Sequence, residues 1–324
     1  MKLGSIVGFI VAAILIIAGI VMCVVGSVSA NGENRELFMQ VDENGTHYIQ
    51  DISSEVTKLS IECNEADITI VGGAEKSFIE FTNFNPNKYS ISATANVITF
   101  SETADISSIL DLGDLGFSFK GLRYFLDPRN DDFDALKKSI VINLAQDSTL
   151  KIIDIGAEES NLSADGVTVS GDMILNIKSG EITIKNCTAQ SSINISNTSA
   201  KTNIEASSAK VLRYSGKEGS LLISGCDITN TDITSESGRV DFISDVTIDD
   251  KAISVSSETG GILFNAKPVA SPFNHEPVHG DTDEDVTVNT FKIKCVSASI
   301  NLSFPSEIAI NGSQTQTAPN PAAK

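Results

Sequence analysis

The sequence predicts an all-β chain: a β-solenoid of stacked coils of ~20 residues with two short strands each, preceded by one N-terminal transmembrane helix. Three observations carry this. Ile, Val, Thr, Ser and Asn are abundant, and 15 Phe and 4 Tyr stand beside no Trp; β-branched and aromatic residues suit a pleated surface. No Pro falls between Pro128 and Pro268, and because Pro removes a ladder hydrogen bond, that interval suits uninterrupted sheet. Similar fragments also recur, as "NIKSGEITIKN" at 176–186, "TSESGRVDFIS" at 234–244 and "SSETGGILFNA" at 256–266.

The first element is the apolar run Ile6–Val25, "IVGFIVAAILIIAGIVMCVV". Twenty such residues are long enough to cross a bilayer core as a helix. A cleaved signal peptide would carry a shorter apolar region, although "VSA" at 28–30 offers a cleavage site. Residues 1–30 are therefore expected to be an uncleaved anchor or signal segment, and 31–55 a linker and first strand. Lys2 precedes the run and the flank after it is mixed, so the positive-inside rule places the N-terminus in the cytoplasm and the rest outside.

Beyond the anchor, 22 Lys and Arg face 42 Asp and Glu, a net charge of −20. That charge repels phosphate backbones and argues against nucleic-acid binding. It favours solubility and attraction of cations or basic partners. Of the five cysteines, Cys23 lies in the apolar run, and the others are Cys63, Cys187, Cys226 and Cys295. They contain no C-x-x-C pair, so zinc has no support.

The main domain is expected over 56–310. One series of alternating apolar positions runs Ile182/Ile184, Ile204, Leu221/Ile223, Val240/Phe242 and Ile262/Phe264. A second, offset by half a period, runs Ile174/Ile177, Ile193/Ile195, Val211/Leu212, Ile233 and Ile253/Val255. Such a coil cannot bury its inward side chains alone. Stacking pairs each strand with its equivalent in the next turn and satisfies the backbone between coils. The Ser-Gly and Asn steps are the corners, since Gly and Asn accept the dihedrals of a sharp bend. Cys187 and Cys226 are 39 residues apart, about two coils. Two steps of ~4.8 Å exceed disulfide reach, so free thiols are expected. The alternating strands of 56–101 are expected to begin the same stack.

Two stretches break the cadence. Residues 103–138 are rich in Leu and Phe and are expected to cap or flank the stack, or to dock on a partner through Leu115, Phe117, Phe119, Tyr124 and Phe125. Residues 267–285, "KPVASPFNHEPVHGDTDED", read as an exposed acidic loop, and 311–324 as a disordered tail.

The cadence of strand, polar "S-x-S-G" step and strand in "KSIVINLAQDSTLKIIDIGAEESNLSADGVTVSGDMILNIKSGEITIKNCTA" (138–189), "TSESGRVDFI" and "SSETGGILFN" resembles the adhesin β-strand-repeat family DUF4097, common in Gram-positive bacteria. The resemblance covers most of 50–305, and a leading transmembrane segment is frequent in that family. It implies a solenoid exposed at the cell surface and brings no catalytic residues with it. The stretch 103–138 departs from its pattern.

Catalytic motifs are sparse. There is no G-x-S-x-G elbow, and Ser148/Lys151 and Ser207/Lys210 match S-x-x-K without its companion motifs. His275, His279, Asp281 and Asp283 are the only weak metal candidates, and Pro272 and Pro277 oppose the helix that would align the two histidines. A polysaccharide-cleaving β-helix would draw on Arg239, Asp241, Asp245, Asp249, Asp250 and Lys251, but a thin two-stranded coil forms no groove for it, and no Trp is present for sugar stacking. The sequence therefore reads as a membrane-anchored, extracellular, non-catalytic binding or structural module without cofactor. Its expected partner is a cell-surface or wall component. The alternative is a regulatory partner of another membrane protein, acting through the anchor and 103–138.

Overall fold

The computed structural model describes residues 47–84, 89–94, 96–102, 136–245, 251–276 and 289–305. The apolar run 6–25, the stretch 103–135 with its five partner-contact candidates, and the tail 311–324 lie outside the described residues. Every regular element among the described residues is a β-strand. The chain is all-β.

Alternation sets the strands. In Ile152–Asp165, Asp172–Lys185 and Lys201–Glu205 every second side chain is buried over most of the length, as a pleated strand against a core requires. These strands pair in parallel with the segment about one repeat away. Ile153 sits beside Met173, Met173 beside Ile193, and Ile193 beside Leu212. This first ladder continues through Asp227–Ser235, Asn289–Cys295 and Lys251–Ser257. A second parallel ladder lies one corner later, where Leu162, Ile182, Thr202, Leu221, Val240 and Ile300 occupy one inward column. Inward Ile, Leu and Val from both ladders form one continuous core.

Three features differ from the sequence expectation. Each middle rung has a third short strand, at Thr168–Val169, Thr188–Ala189, 208–209 and 227–228, whose members pair in parallel. Ile174 and Val211 point outward, and Met173, Leu175 and Leu212 take the inward places. In "DMILNI" the apolar run hides the phase of the alternation.

The third difference concerns the ends. At the N-terminal end, Lys58–Ala74 is not outermost: Val97–Glu102 and Ser139–Ala145 lie outside it, and Ile152–Asp165 inside. At the other end, Asn289–Cys295 is inserted between Asp227–Ser235 and Lys251–Ser257, and Ser299–Ser303 likewise between Arg239–Ile243 and Ile262–Phe264. The strand order therefore departs from the chain order at both ends of the stack.

Antiparallel strands then cover the outer rungs. Phe78–Thr82 and His47–Asp51 cover one end, and Tyr89–Ala93 pairs with Val97–Glu102. Lys267–Val269 and Phe273–His275 cover the other, so the described part of 267–285 includes cap strands, with Val269 and Phe273 buried. Aromatics concentrate at these ends. Phe81 and Phe100 stack at 4.5 Å in one cluster, and Phe242 meets Phe291 edge-on at 4.5 Å in the other. Aliphatic columns fill the middle rungs, and aromatic rings close the sheet at its ends.

Candidate binding groove

The outward face of the first ladder carries the candidate site. On successive rungs the register aligns Glu62, Gly156, Asn176, Ser196, Ser215, Thr234 and Lys294 in one row. The corner beyond this row adds Glu158, Lys178, Thr198, Lys217 and Glu236, and together they line a groove of about 930 Å³. From Glu102 on the outermost rung to Val296, the groove crosses eight rungs, roughly 34 Å at the ~4.8 Å strand spacing. Small Ser, Thr and Asn side chains at the middle of the row leave the concavity open.

The floor is built by the column beneath. Asn197, Gly216 and Ser235 occupy adjacent rungs in register. A Cβ on Gly216 would stand 2.5 Å from the Tyr214 hydroxyl, so glycine is what lets that ring lie under the corner. Asn197 Nδ2 donates to Tyr214 Oη at 3.0 Å and to Thr202 Oγ1 at 3.4 Å. Asn197 is only 7% exposed, and its Oδ1 has no hydrogen-bond partner among the described residues. A buried carbonyl oxygen left so is costly until a donor reaches it.

Charge is distributed unevenly along the groove. At the N-terminal end three acids are already matched, and Glu62 forms no ion pair among the described residues. Glu102, with its side chain 3% exposed, pairs with Lys138 at 2.5 Å, and accepts a hydrogen bond from the Asn64 backbone at 2.9 Å. Asp154 pairs with Lys58 at 3.1 Å, and Glu158 with Lys178 at 2.5 Å. Further along, the groove lysines Lys217 and Lys294 form no ion pair among the described residues; in the row beside the groove Lys292 forms none, and Arg213 Nη1 donates to Asn194 Oδ1 at 3.2 Å.

The thiols of this groove are not activated nucleophiles. Burial, reinforced by the nearby Glu102 carboxylate, pushes the Cys63 thiol up to about 12. Burial pushes Cys295 up to about 11 and also raises the Tyr214 hydroxyl. Both thiols on the floor are therefore protonated near neutrality and poor nucleophiles. All four described cysteines are free and buried. Cys187 and Cys226 lie two rungs apart in one column with Ser207 between them.

The candidates named from the sequence fall elsewhere. Ser207 is buried at a corner, where Oγ accepts from the Cys187 backbone N–H at 3.1 Å and donates to Glu205 O at 2.9 Å; that is a structural bond, not an activated hydroxyl. Arg239 and Asp241 do meet, at 2.6 Å, but on the second ladder and as each other's partner. Lys251 Nζ instead donates to Ile228 O at 2.9 Å, and Asp249 and Asp250 lie outside the described residues. His275 is placed in a cap strand, whereas His279, Asp281 and Asp283 lie outside the described residues. Among the described residues no group of three or more His, Cys, Asp or Glu is placed to hold a metal ion. Sequence reading missed the groove itself: Asn176, Ser196, Ser215 and Thr234 are ordinary polar positions until the register stacks them.

No family model matches the chain, and no curated protein matches it. Among solved structures it is similar to a putative cell adhesion protein of Clostridium sporogenes, at 12% identity over 80% of this chain and 98% of that one, with a TM-score of 0.35. It is also similar to putative adhesins of Parabacteroides merdae (12% identity, 80% and 97% covered, TM-score 0.29) and Parabacteroides distasonis (11%, 80% and 96%, TM-score 0.29).

Proposed function

We propose that the stacked rungs are a β-solenoid held outside a membrane by residues 6–25, and that this solenoid is a non-catalytic, adhesin-like surface module binding an extended polymer along its groove. The observation that carries this is the continuity of the groove across eight rungs, with one small polar side chain offered per rung in its middle. A linear glycan of a wall or cell surface suits such a row, because its pyranose units repeat at close to one rung. Each unit then meets one hydroxyl or amide, and affinity is the sum of many weak contacts rather than the product of one pocket.

The test uses the full-length chain in detergent micelles, incubated with linear cell-wall glycan fragments. Retention of the fragments on the protein with unchanged length on recovery is expected. Shortened fragments would make the protein an enzyme, and no retention of any linear glycan would remove the binding role.

A further inference from the structure

We propose that the C-terminal half of the groove selects an anionic linear glycan, its carboxylate or phosphate groups seated against Lys217 and Lys294, with Lys292 on the neighbouring outward row. The inference rests on the groove-binding reading above and names its ligand class. The chain carries a formal net charge of −19, yet four cations, Arg213, Lys217, Lys292 and Lys294, face outward on two rungs separated by one. Asp232 and Glu236 occupy the rung between and Glu218 follows Lys217, so four cations against three carboxylates leave this stretch net positive by one. The contrast with the other half is specific. There Glu102, Asp154 and Glu158 each have a lysine within 3.1 Å and Glu62 forms no ion pair among the described residues, so that end has no spare cation. Here the three lysines have no carboxylate within ion-pair distance among the described residues.

A second, independent feature lies next to this patch. Asn197 lines the groove one rung before Arg213 and Lys217, is more than nine-tenths buried, and keeps its Oδ1 unpartnered among the described residues. An acceptor asks for a hydroxyl or amide donor, which a sugar carries on every unit. The pair of requirements, a donor at the Asn197 rung and negative charge over the next three, describes an acidic sugar chain. The cation-bearing rungs are about 10 Å apart at two steps of the strand spacing, so charge is wanted on alternate units rather than on every one.

The full-length chain in micelles would be titrated at low salt with three probes of equal length: an oligogalacturonate, a glycerol-phosphate oligomer bearing sugar substituents, and a neutral chito-oligosaccharide. At least one anionic probe is expected to bind about ten or more times tighter than the neutral one, with the advantage lost at high salt. Whichever anionic probe binds tighter identifies carboxylate or phosphate as the source. The Lys217→Gln/Lys294→Gln variant, changed only at exposed positions, should lose the anionic advantage and keep its circular dichroism. Equal or tighter neutral binding, or an advantage that survives in the variant, would overturn the inference and leave groove binding standing. No binding of any probe would remove both.

Discussion

Single residues decide where this chain can turn. Gly180, in the Ser-Gly step of "NIKSGEITIKN", has φ +115°, and a Cβ there would stand 2.1 Å from the Ser160 carbonyl oxygen of the neighbouring rung. Both the dihedral and the contact demand glycine. Gly180→Ala is expected to cost about 3 kcal/mol or more in denaturant unfolding, by strain plus displacement of a backbone that cannot yield. Gly261→Ala, where a Cβ meets nothing within 4 Å, should stay within about 0.5 kcal/mol of the parent. The thiols give a pH signature at the same scale. Cys63, Cys187 and Cys295 ionise near 12, 11 and 11 when folded, against 9 for an ordinary thiol. Their folded values are raised, so the stability they contribute is complete below pH 9 and declines as pH climbs through 9 to 11. Alkaline titration followed by circular dichroism should show that loss, with thiolate absorbance appearing on unfolding. Thiolate signal at pH 9 from fully folded protein would contradict it.

At the scale of elements, the ends and the middle do different work. A parallel stack leaves open edges, and here both ends reorder their last rungs and add antiparallel strands and rings. Phe291, on the returning strand Asn289–Cys295, touches Phe242 at 4.5 Å and Phe304 at 5.9 Å. Phe291→Ala should cost about 4 kcal/mol, with amide exchange accelerating over 251–276 and 289–303 while 152–205 stays protected, because each rung depends chiefly on its neighbours. Uniform acceleration along the chain would argue instead for one cooperative unit.

How far the elements were legible follows from the same division. The middle strands show in the sequence because Ile182/Ile184 and Ile193/Ile195 alternate cleanly, and their register is the repeat itself. The third strand of each rung escapes, since its inward residues Val169, Ala189, Ala209 and Ile228 sit in pairings too short to show an alternation. The end rungs escape for another reason. Ile253 follows Ile233 in the apolar series and shares its inward face, but Phe291 stands between Thr231 and Ile253, and no local pattern encodes an insertion from so far downstream. The groove was illegible because a row of Asn176, Ser196, Ser215 and Thr234 exists only after the rungs are stacked. The expectation that a thin coil offers no groove did not allow for the small side chains of that row and Gly216 beneath it.

At the scale of the whole molecule, the properties that matter are length and repetition. An extended groove without a deep pocket converts a row of weak contacts into useful affinity only if the ligand spans many rungs, as in any multivalent contact. That makes ligand length the variable that separates this reading from a pocket or a catalytic cleft. The decisive measurement is therefore the affinity of the full-length protein in micelles for linear glycan oligomers of increasing length, by calorimetry. Affinity should climb with each added unit until the ligand covers the eight rungs of the groove and then level off, with every oligomer recovered intact. Affinity that is already maximal for the shortest oligomers, or oligomers recovered shortened, would contradict it.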